Sequence, residues 1–176
     1  MYVEVNIVFL LCRYVDYLLR STSDRSERLL KYDPHTKKVF VIYKGLVFAN
    51  GVSLSKNNSF LLVAESTRMR VLKFTLEGEE QSYVPEVFAQ LPRIPDNIKR
   101  NENGEFWIAL NTERSGSIQS NVSDPIGIKY DEESNVLKQL DGNGGIIFNS
   151  ISEVQEFNGR LYIGSVTQPY VGVLNA

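Results

Sequence analysis

Asp96 and Asn97 stand side by side at the end of the run Leu-Pro-Arg-Ile-Pro-Asp-Asn, and Asn50 stands before Gly51 in Phe-Ala-Asn-Gly-Val. One acid and two amides supply hard oxygen donors, the kind that calcium gathers six to eight at a time in tolerant geometry. Pro92 and Pro95 lack an amide hydrogen and are expected to hold the preceding loop out of any ladder, which places Asp96 and Asn97 where a loop becomes a strand over Asn97 to Arg100. The same residues also have ordinary uses: Asn50-Gly51 as a left-handed turn, and Asp96-Asn97 as acceptors for loose backbone amides at a loop exit.

Other chemistries find less support. The single histidine, His35, sits in the turn Asp33-Pro34-His35-Thr36 and reads as a solvated turn residue. No Gly-x-Ser-x-Gly elbow occurs, and Cys12 lies in the apolar run Ile7 to Cys12, where burial raises a thiol pKa and leaves it unreactive. Trp107 reads as core, with an indole N–H that needs a partner if buried. A net charge of -2 without a basic cluster gives no footprint for nucleic acid.

A core large enough to position such residues is expected, because 176 residues with 43% hydrophobic and 11% aromatic content exceed what a disordered chain carries. The lone cysteine excludes an internal disulfide. The run Ile7 to Cys12 is too short to span a bilayer, so no transmembrane segment is expected. As a leader it is poor, since Glu4 occupies the place of a basic n-region and no small-residue cleavage site follows. It reads as a buried strand followed by a short helical or irregular piece from Tyr14 to Arg20, then a polar loop from Ser21 to Arg28.

From there the chain repeats. Asn50 to Ser55, Phe60 to Glu65 and Val71 to Phe74 form one unit. Asn97 to Arg100, Phe106 to Leu110 and Ile126 to Tyr130 form a second, with a hairpin turn at Asn103-Gly104, and Ile151 to Gln155, Leu161 to Ser165 and Val171 to Leu174 form a third. Phe60, Phe106 and Leu161 are 46 and 55 residues apart, close to the roughly 40 to 50 of a four-stranded propeller blade. Val87 to Ala89 and Val136 to Leu140 supply fourth strands, and Leu29 to Tyr32 with Lys38 to Tyr43 supply the outer strands of an earlier blade. The reading is an all-β chain, a partial β-propeller of three to four blades over residues 28–176, preceded by a distinct segment over 1–27.

Arg28-Leu-Leu-Lys-Tyr-Asp-Pro, Gly45-Leu-Val-Phe-Ala-Asn-Gly-Val, Val63-Ala-Glu-Ser, Pro95-Asp-Asn-Ile-Lys-Arg and Gly159-Arg-Leu-Tyr-Ile-Gly-Ser, in this order, resemble the plant strictosidine synthase-like family. That group is similar to the adipocyte plasma membrane-associated protein and more distantly to paraoxonases. The resemblance covers about Glu27 to Ala176. It implies a six-bladed propeller with an active centre at one end of its channel, of which this chain holds a part, as a fragment or the product of a truncated gene. Exposed strand edges then make self-association an expected hazard.

The resemblance also implies roles. In paraoxonase-type relatives the asparagine and the aspartate-asparagine pair matching Asn50, Asp96 and Asn97 hold a catalytic calcium. Strictosidine synthase joins tryptamine to secologanin with a catalytic glutamate, and counting back from Gln155-Glu156 and Gly159 places that glutamate on Ser152. A serine hydroxyl does not act as a carboxylate base near neutral pH, and the adjacent Glu153 is expected on the opposite strand face.

Three functions follow as expectations. The first is a calcium-assisted hydrolase of small esters or lactones, the second a Pictet-Spengler condensation in alkaloid biosynthesis, and the third a non-catalytic ligand- or partner-binding propeller. The family implies routing through the secretory pathway, to vacuole or endomembrane. The sequons Asn57-Asn58-Ser59 and Asn121-Val122-Ser123 fall in expected surface turns, where secretory chains carry glycans.

Overall fold

The computed structural model describes residues 25–76, 84–111, 124–145, 148 and 150–176, together with the backbone of residues 2–4. Cys12, the 7–12 run, the expected helical piece after it and Asn121 lie outside the described residues.

Among the described residues fourteen strands form four antiparallel sheets in chain order. The first holds β1 (Tyr2–Glu4), β2 (Glu27–Asp33) and β3 (Lys38–Leu46). The second holds β4 (Ala49–Leu54), β5 (Phe60–Glu65), β6 (Arg70–Thr75) and β7 (Glu86–Gln90). The third holds β8 (Ile94–Arg100), β9 (Phe106–Asn111), β10 (Pro125–Tyr130) and β11 (Val136–Asp141). The fourth holds β12 (Glu153–Phe157), β13 (Arg160–Gly164) and β14 (Gly172–Asn175). Each strand pairs with its sequence neighbour, the meander expected of propeller blades.

Strand periodicity explains how the sheets stack. Along β5, Phe60, Leu62 and Ala64 point one way into a core shared with Phe106, Ile108 and Leu110 of β9, while Leu61 and Val63 point the other way onto Leu29, Leu46 and Phe74. Along β9, Trp107 and Ala109 turn from the second sheet to meet Ile126, Val154, Leu161 and Ile163. Strands covered on both faces therefore read as continuous apolar runs. In β13 only Leu161 and Ile163 are covered, and Tyr162 between them is exposed. Val39 and Val41 of β3 are likewise exposed at the other end of the stack, at 60% and 46%.

Two local expectations are corrected. Pro95 is not held out of the ladder: it lies inside β8 opposite Leu110, and the strand begins at Ile94. Proline is tolerated there because β8 is an edge strand, so its missing N–H removes no ladder bond on the unpaired side. The turn before β9 is longer than a two-residue hairpin, since Asn101 N donates to Glu105 O at 2.8 Å and Gly104 alone of the Asn103-Gly104 pair is left-handed, at φ 99°. The two-residue form occurs instead at Asn158-Gly159, where both φ are positive and Phe157 faces Arg160.

Candidate functional site at the start of the inner strands

β4, β8 and β12 are the first strands of their sheets, and β8 packs between the other two. β4 and β8 carry the same irregularity. Ala49 faces Glu65 and Val52 faces Val63, so Asn50 and Gly51 stand against Ala64 alone; Pro95 faces Leu110 and Ile98 faces Ile108, so Asp96 and Asn97 stand against Ala109 alone. Each is a β-bulge, a device that re-aims side chains at a strand end. The bulges hold Asn50-Gly51 in one sheet and Asp96-Asn97 in the next. In the fourth sheet Glu153 faces Gly164 and Val154 faces Ile163 without a register shift, so β12 carries no such bulge; Ser152 precedes Val154 by two residues, as Asp96 precedes Ile98, but on a regular strand entry.

Backbone approach brings these positions together. A Cβ on Gly51 would meet Ile98 N at 2.5 Å, Asn97 Cα at 2.6 Å and Asp96 O at 2.7 Å, so β4 reaches β8 only because residue 51 has no side chain. On the other side, Asn97 N donates to Ser152 O at 3.1 Å, and Ser152 N donates to Gly164 O at 2.8 Å.

Hydroxyls and amides tie the rim across the sheets. Ser66, buried after β5, donates its Oγ to Pro95 O at 2.7 Å and takes a longer contact of 3.5 Å from Asn50 Nδ2. Ser150 Oγ donates to Asn111 Oδ1 at 2.7 Å, and Ser165 Oγ to Ser150 O at 2.5 Å. Ser152 Oγ is buried and has no hydrogen-bond partner among the described residues.

Charges beside this rim are paired. Glu65, 1% exposed, accepts Val47 N at 2.9 Å and Arg70 Nε at 2.6 Å. Asp124, fully buried, stands 2.6 Å from Arg93 Nη2; the approach is off the hydrogen-bonding direction, so the contact is Coulombic.

A second network joins the third and fourth sheets nearer the opposite strand ends. Lys129 Nζ lies 2.9 Å from Glu105 Oε2 and 3.4 Å from Glu156 Oε2, and Trp107 Nε1 donates to Glu156 Oε2 at 2.7 Å. The expected indole partner is therefore Glu156. The hydrogen bond from Lys129, helped by Asn101, holds Glu105 below the usual carboxylate range. Burial pushes Glu156 up, but Trp107, Asn101 and Lys129 together outweigh it and leave the group lowered. Burial likewise pulls Lys129 down, and its two carboxylate partners outweigh that and raise it. Apart from Trp107, no member of this network stands out in the sequence, because Glu105, Lys129 and Glu156 lie 24 and 27 residues apart along the chain.

The remaining expectations are placed as follows. Glu153 turns to Lys99, Oε2 to Nζ 3.4 Å, and does not substitute for a carboxylate at Ser152. His35 is exposed in the outer β2–β3 turn, where its N–H donates to Asp33 Oδ1 at 2.9 Å. Calcium was tested against the donor set. Asn50, Asp96 and Asn97 supply one carboxylate and two amide oxygens; the types suit a hard cation, but three side chains fall short of a full shell. Among the described residues no group of three or more His, Cys, Asp or Glu forms a metal cluster. The set fits calcium as part of a shell. Among the described residues no helix is long and apolar enough to cross a membrane.

Meandering sheets of three or four strands stacked face to face, with β4, β8 and β12 side by side, define blades of a β-propeller. Solved propeller structures are similar: a gluconolactonase of Xanthomonas campestris, at a TM-score of 0.64 and 15% identity over 85% of this chain and 44% of that one, and the calcium-binding protein regucalcin of Agrobacterium tumefaciens, at 0.57 and 12% over 81% and 45%. At such identities the likeness concerns the fold. The strictosidine synthase family profile matches residues 14–79. The chain is 37% identical to strictosidine synthase-like 10 of Arabidopsis thaliana over 85% of its own length and 47% of that protein, and 36% identical to strictosidine synthase of Catharanthus roseus over 89% and 44%. It belongs to the strictosidine synthase-like family, and it spans about half the length of these curated relatives.

Proposed function

We propose that this chain supplies part of the active centre of a calcium-assisted hydrolase acting on small esters or lactones, with Asn50, Asp96 and Asn97 as metal ligands. The observation that carries the reading is the shared bulge, which sets Asn50 and Asp96 at one register on adjacent inner strands. A bound calcium ion would polarise the acyl oxygen and offset the charge that develops on it as water adds and the alcohol leaves. The chain's own part is positioning: Gly51 lets β4 approach, Ser66 fixes the rim through Pro95, and Ser152 anchors Asn97 through its carbonyl. The likeness in fold to a gluconolactonase and to a calcium-binding protein supports the choice of substrate and ion.

The test is thermal melting with and without calcium, beside lactone and arylester hydrolysis, for the chain and for Asp96→Ala. Calcium should raise Tm in the parent and leave Asp96→Ala unmoved; no response in either, together with no hydrolysis, overturns the reading. Condensation of tryptamine with secologanin is the second reading, favoured by the 36% identity to the Catharanthus enzyme and opposed by the hydroxyl at Ser152. Product from those two substrates would establish it. Absence of both activities with retained ligand binding would leave a binding propeller. We place the chain in the secretory pathway, on the strength of the family resemblance.

A further inference from the structure

The turn between β4 and β5 holds a feature that hydrolysis does not use. Asn57-Asn58-Ser59 is a sequon, with neither Asn58 nor Phe60 a proline. Asn57 and Asn58 are exposed, and Asn58 takes the left-handed conformation at φ 63°. The Asn57 carboxamide is oriented through its oxygen alone: Oδ1 accepts Ser59 Oγ at 2.7 Å, Ser55 Oγ at 3.0 Å and Ser59 N at 3.1 Å. Three donors on one side of the amide turn Nδ2 away from the turn.

These contacts come from within two residues on either side of Asn57, so they form without the rest of the blade. The turn is itself closed by Ser55 N to Phe60 O at 2.9 Å, Asn58 N to Ser55 O at 3.1 Å and Phe60 N to Ser55 Oγ at 3.0 Å. It also lies beyond the other end of β4 from Asn50, which is four strand steps, roughly 13 Å at 3.3 Å per residue, from Leu54.

We propose that Asn57 is an N-glycan attachment site whose sugar projects from the side of the blade opposite the Asn50-Asp96 rim. The donor is a lipid-diphosphate-linked oligosaccharide. A bond forms between Nδ2 and the anomeric carbon, the bond from that carbon to the diphosphate oxygen breaks, the lipid diphosphate leaves as an anion, and one amide proton is lost. Attachment at this end leaves the rim uncovered, so a glycosylated chain keeps access to its channel mouth.

The inference rests on the secretory routing proposed above, and the test separates the two. The full chain is translated into microsomes behind an added cleavable leader, and only protease-protected chains are counted. One mass step should appear at Asn57, reversed by peptide N-glycosidase with conversion of Asn57 to aspartate in the mapped peptide. It should be lost in Asn57→Gln and Ser59→Ala and kept in Ser59→Thr. Unmodified Asn57 in protected chains overturns the proposal, whatever the state of Asn121.

Discussion

The backbone N–H of Asn97 donates to the carbonyl of Ser152 at 3.1 Å, which stitches the first strand of one blade to the start of the next across 55 residues of sequence. The residue proposed as a metal ligand is thus held by the residue onto which the family resemblance places the synthase glutamate. Conformation at one position is tied to the other through the main chain, so side-chain replacement at Ser152 leaves the tether in place.

That tether makes Ser152 and Ser66 a discriminating pair. Ser152 Oγ is buried without a partner, whereas Ser66 Oγ bridges to Pro95 O at 2.7 Å. Ser152→Ala should therefore be neutral or slightly stabilising, and Ser66→Ala should lose about 1 kcal/mol, because one removes an unsatisfied hydroxyl and the other a made bond. Urea unfolding of the two variants reads the contrast. A Ser152→Ala loss as large as that of Ser66→Ala would mean that Ser152 Oγ is bonded in solution.

Gly51 is the second point of leverage. Its absent Cβ leaves room for Asp96 O, Asn97 Cα and Ile98 N, all backbone atoms that have no rotamer with which to yield. Gly51→Ala should cost about 1–3 kcal/mol by overpacking and should displace β8 from β4. Gly159→Ala is the control, because open space surrounds it and only its φ of 70° is strained. Calcium binding, if present, should weaken in the first variant and hold in the second.

The Glu105-Lys129-Glu156 network predicts a pH dependence. Both carboxylates are lowered in the folded chain from an ordinary 4.5, so their stabilisation is present above that pH and is lost as pH falls through the lower folded values. Lys129 is raised from 10.5, so its share is present below 10.5 and is lost as pH rises through its folded value. Tm against pH should fall less steeply below 4.5 in Glu105→Gln/Glu156→Gln than in the parent. Parallel acid limbs would mean that the network is not coupled to folding.

The blades were legible because turn residues recur between apolar strands, and because strands covered on both faces, such as Phe60 to Glu65, lose their alternation in a recognisable way. The register at the rim was less so. Pro95 reads as a loop residue in isolation and joins β8 because an edge strand tolerates it, and the bulges appear only when β4 is paired with β5 and β8 with β9. Buried partners such as Arg93 with Asp124, or Trp107 with Glu156, left no local signal, since each pair is made by packing between distant segments. Asn50, Asp96 and Asn97 were identified by donor type, and the structure gives the first two a common register that donor type alone does not supply.

The same bulge at the start of β4 and of β8 repeats the rim from one blade to the next. Asparagine and aspartate occupy the equivalent bulge position in two successive blades. Single replacements at these two places would change the donor atoms offered at the rim, while the apolar cores that stack the sheets lie on other residues.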